Sequence, residues 1–220
     1  MEKNYFDEKD HRALANAIAL KFKNKRKLKD KFMSANAIPA EIISILENDF
    51  KLNENILFCQ IATIKDSFPH VRTVRLYGIE DHHGLIFLTR TTSRKWQALM
   101  QHSRLAICLL HPECRIQLQA ECTAKLIKAN DDLSLFQKYW PMIKDDVKKI
   151  YHSDYLPNID YQQGKETDIP TTIPDSCGMI IAMPYCWEYL LVSDNYPESM
   201  RYQFTNHPQK GWTKSRLTMS

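Results

Sequence analysis

From residue 56 onward the chain becomes a succession of short apolar runs bounded by polar turns. Five such runs, at 56–64, 71–79, 85–89, 105–110 and 116–127, surround a single helical stretch at 93–102. Four more follow at 179–183, 187–192, 201–205 and 212–217. Polar turns at 65–68 and at His82-His83-Gly84 join neighbouring runs directly, and runs joined so closely pair as antiparallel neighbours. The pattern predicts a mainly β, α+β fold: an antiparallel barrel with peripheral helices.

Helical spacing is confined to the flanks. Leu14, Ile18 and Phe22 place a helix over 11–32, and a second helix starts after Ile38-Pro39 with Ile42, Ile45 and Leu46 on one face. Residues 131–151 read as a helix bent or broken at Pro141, and 158–175 as a long polar loop. The expected organisation is a helical segment over 1–52 and a barrel domain over 53–220, without internal repeats.

Charge narrows the partners. Lys21 to Lys31 holds seven basic residues and one acid, a net of +6 in a chain whose total is +4, so the remainder carries −2. The basic character belongs to one N-terminal segment, so no nucleic-acid function is expected of the body. No window of 18 apolar residues occurs, and the N-terminus lacks a basic stretch followed by an apolar one, which points to a cytoplasmic protein that engages no membrane. Six cysteines without C-x-x-C spacing read as reduced, small core residues and not as a zinc site or disulfide frame.

Two basic clusters carry the chemistry. Arg72-Thr73-Val74-Arg75-Leu76 lies on a strand, and Thr89 is followed by Ser93-Arg94-Lys95 at the start of a helix. Cations in a first helical turn oppose the helix dipole, and a bound anion reverses that cost. No acid lies between Asp81 and Glu113, so the field there has one sign. Converging guanidinium, ammonium and hydroxyl groups suit a phosphate monoester, although a helix with solvated basic residues would carry the same charges. Arg72 and Arg75 project to opposite faces of their strand, so only one can meet the phosphate. Arg72 is assigned that role; Arg75 is expected to form an ion pair or to act through its backbone.

These motifs, with Gly84-Leu85-Ile86-Phe87-Leu88-Thr89 and Gln117, resemble the FMN-binding split-barrel proteins related to pyridoxamine 5'-phosphate oxidase. The resemblance is specific over 56–127 and weaker at Trp187-Glu188-Tyr189, Arg201-Tyr202, Trp212 and Arg216-Leu217. It implies an antiparallel split β-barrel with FMN as cofactor. Arg72 and Lys95, helped by Arg94 and Ser93, would hold the FMN phosphate. The backbone of Thr73, Val74 and Arg75 would run along the flavin ring, and Leu88 and Thr89 would meet the ribityl-phosphate part. Gln117 would bond the ring's polar edge, and Arg201 would approach from the second subunit of a homodimer with flavin at its interface.

Departures concern the substrate. Tyr77 stands where the oxidase has a lysine for the substrate phosphate, Pro197-Glu198-Ser199 replaces an Arg-x-His, and Leu190 takes the place of a flavin-facing tryptophan. The oxidase's remaining substrate-phosphate residues have no convincing counterpart in 136–146. The expectation is an FMN-dependent oxidoreductase of unknown substrate, other than pyridoxamine 5'-phosphate, with no catalytic side chain assigned. A non-catalytic FMN carrier or sensor is the alternative. His82-His83 lacks a third metal ligand and reads as a hairpin tip, Cys114-Arg115 is a weak candidate for a reactive thiol, and Tyr139-Trp140-Pro141 reads as core or dimer packing.

Overall fold

A computed structural model describes residues 37–81, 83–151, 169 and 171–218. The helix expected over 11–32 and the basic segment lie outside them. Helix α1 (Ala40–Ser44) widens into a π turn over Ile45–Asp49 and buries Ile42 and Leu46 completely. Nine strands follow: β1 (Leu57–Lys65), β2 (Phe68–Leu76), β3 (Gly78–Glu80), β4 (Gly84–Arg90), β5 (Arg104–His111), β6 (Ile116–Lys128), β7 (Cys177–Leu191), β8 (Met200–His207) and β9 (Gly211–Arg216). Helix α2 (Arg94–Gln101) is inserted between β4 and β5, and α3 (Leu133–Tyr139) and α4 (Asp145–Lys148) lie between β6 and β7.

All pairings are antiparallel, in the order β2-β1-β5-β6-β7-β4-β3, with β8 on β7 and β9 on β8. The two ends of that order, β2 and β3, are consecutive in the chain. The sheet therefore curls back on itself without a ladder between its end strands, which is a split barrel and not a closed one. The single strand expected over 71–79 is two strands, because the chain turns a corner at Tyr77. Its backbone N–H leaves the β1 ladder and donates to the Ile86 carbonyl at 2.9 Å.

The opposite error occurs at β7. Two separate strands were expected, at 179–183 and 187–192, yet Cys177–Leu191 is one continuous strand with Pro184 inside it. The β6–β7 register shifts there: Cys122 opposes Pro184 while Glu121 opposes Cys186, leaving Tyr185 as the extra residue of a bulge. A bulge is where a sheet tolerates a residue without an N–H. On one side of it β7 pairs with β4, and on the other with β8.

Two cores result. The larger fills the barrel with Cys59, Ile61, Phe87, Leu109, Leu118, Trp187 and the side chains of α1. The second packs Phe136, Tyr139, Trp140 and Tyr151 from the α3–α4 segment against Tyr77, Ile86 and Met179. β4 lies between them, which explains its unbroken apolar run: Leu85 and Phe87 enter one core, Ile86 the other. The helix expected over 131–151 is broken at Pro141 as anticipated, with a 3₁₀ turn at Trp140–Met142 before α4.

Candidate functional site

Pairing places Arg72 beside Ile61 of β1, on the face that carries Cys59, Ile61 and Thr63 into the barrel. Thr63 is 1 % exposed, and its Oγ1 accepts a 2.7 Å hydrogen bond from Arg72 Nη1. Thr89, the penultimate residue of β4, lies on the same strand face as the core residues Leu85 and Phe87. Ser93 caps α2 in extended conformation, its Oγ accepting from the Trp96 N–H at 3.3 Å. The next turn sends Lys95 back over the cap, where its Nζ donates to Thr89 Oγ1 at 2.9 Å; the two hydroxyls are 3.0 Å apart.

Proton counting shows what this cluster lacks. Thr89 Oγ1 accepts from Lys95 and Ser93 Oγ accepts from Trp96, so one hydroxyl hydrogen spans the pair. The other hydroxyl hydrogen and the remaining ammonium hydrogens of Lys95 have no side-chain partner among the described residues. The electrostatics point the same way. Burial pushes Lys95 below its ordinary pKa, and the positive charge of Arg72 pushes it further. Burial alone lowers Arg72. Among the described residues neither cation forms an ion pair with an acid. Two cations that repel each other in a half-buried recess lie beside the hydroxyls of Thr63, Thr89 and Ser93, a donor set with the charge that an anion would balance. A dianionic phosphate fits its donor set in charge and in hydrogen-bonding capacity.

α2 is held in place by close packing. Trp96, Ala98 and Leu99 are buried, and Gly178 at the start of β7 has no side chain because Trp96 occupies that space. A Cβ there would lie 2.4 Å from the indole. Arg94, by contrast, is exposed at the first helical position.

The other expected residues are distributed around this recess. Val74 packs on the barrel core and Thr73 faces outward opposite Gln60. Leu88 packs against the second core, on the opposite face of β4 from Thr89. Arg75 points away from Arg72, as strand geometry requires, but forms no ion pair among the described residues. Its Nη1 donates to the Met142 carbonyl at 2.7 Å, and its guanidinium lies 4.5 Å from the centre of the Tyr77 ring. Gln117 and Arg201 share the outer sheet face with Leu190 between them, since Gln117 pairs with Leu190 and Leu190 with Arg201. Arg201 donates through Nε to Glu188 at 2.8 Å. Within one chain these two do not join Arg72 and Lys95.

Thr63 escaped the sequence reading. Its only signal is a hydroxyl in an inward position of an otherwise apolar alternation, which periodicity alone registers as neutral.

The sequence model described as pyridoxamine 5'-phosphate oxidase matches residues 49–161, just over half of the chain. No curated protein matches. Among solved structures, the chain is similar to a pyridoxamine 5'-phosphate oxidase-related, FMN-binding protein from Nostoc punctiforme PCC 73102, with a TM-score of 0.68 and 19% identity over 83% of this chain and 100% of that one. It is also similar to PhzG from Burkholderia lata 383, solved in complex with tetrahydrophenazine-1-carboxylic acid, with a TM-score of 0.67 and 18% identity over 84% of this chain and 96% of that one. At such identities the likeness establishes architecture. Together with the matched segment, which contains Thr63, Arg72, Thr89, Ser93 and Lys95, it places this chain in the pyridoxamine 5'-phosphate oxidase family, on a split-barrel fold.

Proposed function

We propose that this protein binds FMN and acts as a flavin-dependent oxidoreductase on a substrate other than pyridoxamine 5'-phosphate. The observation that carries the reading is the pairing of Arg72 and Lys95 beside hydroxyl groups, with no acidic counter-ion among the described residues. Family membership supports it, as does the FMN-binding description of the Nostoc relative. Arg72 grips the phosphate with its planar fork, Lys95 adds a point charge, and the Thr89–Ser93 pair supplies its one free hydroxyl hydrogen. Backbone groups of Thr73, Val74 and Arg75 lie on β2, whose outer edge pairs with no other described strand and is open to the ring. The flavin supplies the redox chemistry; the protein supplies binding, orientation and exclusion of water.

A homodimer completes the site in this reading. The outer sheet face exposes Phe58 (58%), Ile64 (42%), Val71 (66%) and Leu110 (60%), more apolar surface than a sheet facing only water would carry. Gln117 and Arg201 lie on that face and would serve the flavin of the partner subunit. Tyr77, 8% exposed in the aromatic core, cannot replace a cation for a substrate phosphate. The same filled core favours a second reading, a non-catalytic FMN carrier, because Tyr139, Trp140 and Tyr151 occupy space beside Tyr77.

An absorption spectrum of the purified protein and an FMN titration test the binding. Turnover of reduced flavin with oxygen or a dye separates the enzyme from the carrier. Colourless protein with no FMN affinity would refute both readings.

A further inference from the structure

The thiol at Cys114-Arg115 has a different neighbour in the fold from the one its sequence suggests. Arg115 is already engaged: its guanidinium bonds Asp194, and its carbonyl accepts from the Val192 N–H at 3.1 Å. The group that meets the sulfur is His111, three residues earlier at the end of β5. The Cys114 N–H donates to His111 Nδ1 at 3.2 Å, and His111 Nε2 lies 3.8 Å from Cys114 Sγ. Together these contacts fix the tautomer. A ring nitrogen that accepts carries no hydrogen, so the hydrogen of the neutral ring sits on Nε2 and is donated to the sulfur. Phe50, itself buried, meets the imidazole edge-on with 5.5 Å between ring centres and holds its plane. Tyr189 is within electrostatic reach. Burial pushes its phenol up, and Asp49 and Cys114 push it further, so it stays protonated and adds no charge beside the sulfur.

Among the six cysteines Cys114 alone is exposed, and burial raises the pKa of each of the other five. A thiol attacks as its thiolate, and a hydrogen bond donated to the sulfur favours that form. A nucleophile, a side chain that assists it and a third group that orients the assistant are the parts of an activated site; an ordinary surface cysteine has only the first. We propose that Cys114 and His111 form a thiol–disulfide exchange site that takes small disulfides and keeps one half as a mixed disulfide. The site shares no residue with the phosphate recess and is independent of the flavin reading. Cys114 gives its proton to solvent, and its thiolate attacks one sulfur of the small disulfide. A new S–S bond forms as the old one breaks. The departing half leaves with the electron pair and takes up a proton, so the small disulfide is the oxidant and one free thiol is the product.

4,4′-Dithiodipyridine is a suitable probe, because the thiol it releases is read by absorbance. The reduced native protein, with or without FMN, should release a single equivalent quickly, and peptide mass spectrometry should place the adduct on Cys114. A hydrogen bond to a charged group raises the thiolate population about tenfold, and the lower nucleophilicity of a stabilised thiolate returns part of that, leaving a rate advantage of about threefold at neutral pH. His111→Phe keeps a ring against Phe50 but has no Nε2–H, and should lose that advantage while unfolding at the wild-type temperature. Arg115→Gln should keep it. A second measurement needs no substitution. Peptide-resolved labelling should find Cys114 reacting about threefold faster in the native wild-type protein than in urea, although the native chain covers it more. Equal rates for wild type and His111→Phe overturn the proposal, as does a larger loss in Arg115→Gln than in His111→Phe. So does a first adduct on another cysteine, or a native Cys114 no faster than the unfolded one. If His111→Phe does not fold, the comparison of native and urea-unfolded wild type decides by itself.

Discussion

Replacing Lys95 by alanine should have opposite effects on the free and the phosphate-bound protein. In the free protein the ammonium is half-buried, repelled by Arg72 and balanced by no acid among the described residues, so its removal relieves a cost. With FMN bound it removes a charge-assisted hydrogen bond of about 1.5–3 kcal/mol, a loss of about 12-fold to 160-fold in affinity. The difference is readable by thermal unfolding. At an FMN concentration of about 100 times the wild-type Kd, binding stabilises the native protein by about 2.7 kcal/mol. With Kd raised about tenfold the same FMN concentration gives only about 1.4 kcal/mol. For a chain of this size the ligand-induced shift in Tm should fall from about 5–11 °C to about 3–6 °C. Riboflavin, which lacks the phosphate, should bind wild type and Lys95→Ala with the same affinity. The pH dependence has a definite sign. The pKa of Lys95 is lower in the folded protein than in the unfolded chain, so the unfolded chain binds the extra proton. The cost is present in full below the folded pKa and fades as pH rises from there toward 10.5, a dependence that Lys95→Ala should abolish. Equal losses for FMN and riboflavin, or a variant less stable than wild type without ligand, would refute the assignment.

Other perturbations probe the supports of the site. Gly178→Ala puts a Cβ 2.4 Å from the Trp96 indole and should cost about 1–3 kcal/mol in urea unfolding, with weaker FMN binding as α2 tilts. Thr63→Val removes the acceptor of the 2.7 Å bond from Arg72 without changing shape, and should cost about 1 kcal/mol of stability along with a measurable part of the FMN affinity. Thiol titration of the native protein should show one fast group, Cys114, absent in Cys114→Ser. Cys59 and Cys177 are buried and their pKa values are pushed up to about 12, so they should react only on unfolding.

What the sequence could and could not reveal follows from the range of each signal. Alternation is local, and it located almost every strand to within a few residues. It also assigned Arg72 and Arg75 to opposite faces, because a strand's period admits no other outcome. Pairing partners are not local. Nothing in residues 71–79 announces that Tyr77 leaves one ladder for another, since both halves keep an extended backbone. Pro184 resembles a stop for the same reason: its missing N–H is harmless only where the partner strand shifts register, and the partner lies about 60 residues earlier. Tyr139 and Trp140 were legible as packing residues and are buried in the second core, but their place beneath β4 was not, because that contact is set by the route of the chain and not by any spacing.

Arg72 and Lys95 contrast with the cations that this fold pairs for stability. A cation kept for stability is normally paired, as Lys138 is with Glu80 at 2.8 Å and Lys214 is with Glu41 at 2.9 Å. Both those pairs tie one element to another across the surface. Among the described residues Arg72 and Lys95 make side-chain hydrogen bonds to neutral hydroxyls, which orient them without cancelling their charge. Partial burial raises the cost of leaving them so, because lost hydration is replaced by weaker dipoles. A fold whose total stability is about 5–15 kcal/mol can carry such a cost in one recess, but an uncompensated pair is a poor way to gain stability. Aspartate in place of Thr89 provides the contrast. It should neutralise the recess, raise the unfolding temperature of the free protein and exclude phosphate by repulsion. An unchanged FMN affinity in Thr89→Asp would mean that the phosphate sits elsewhere.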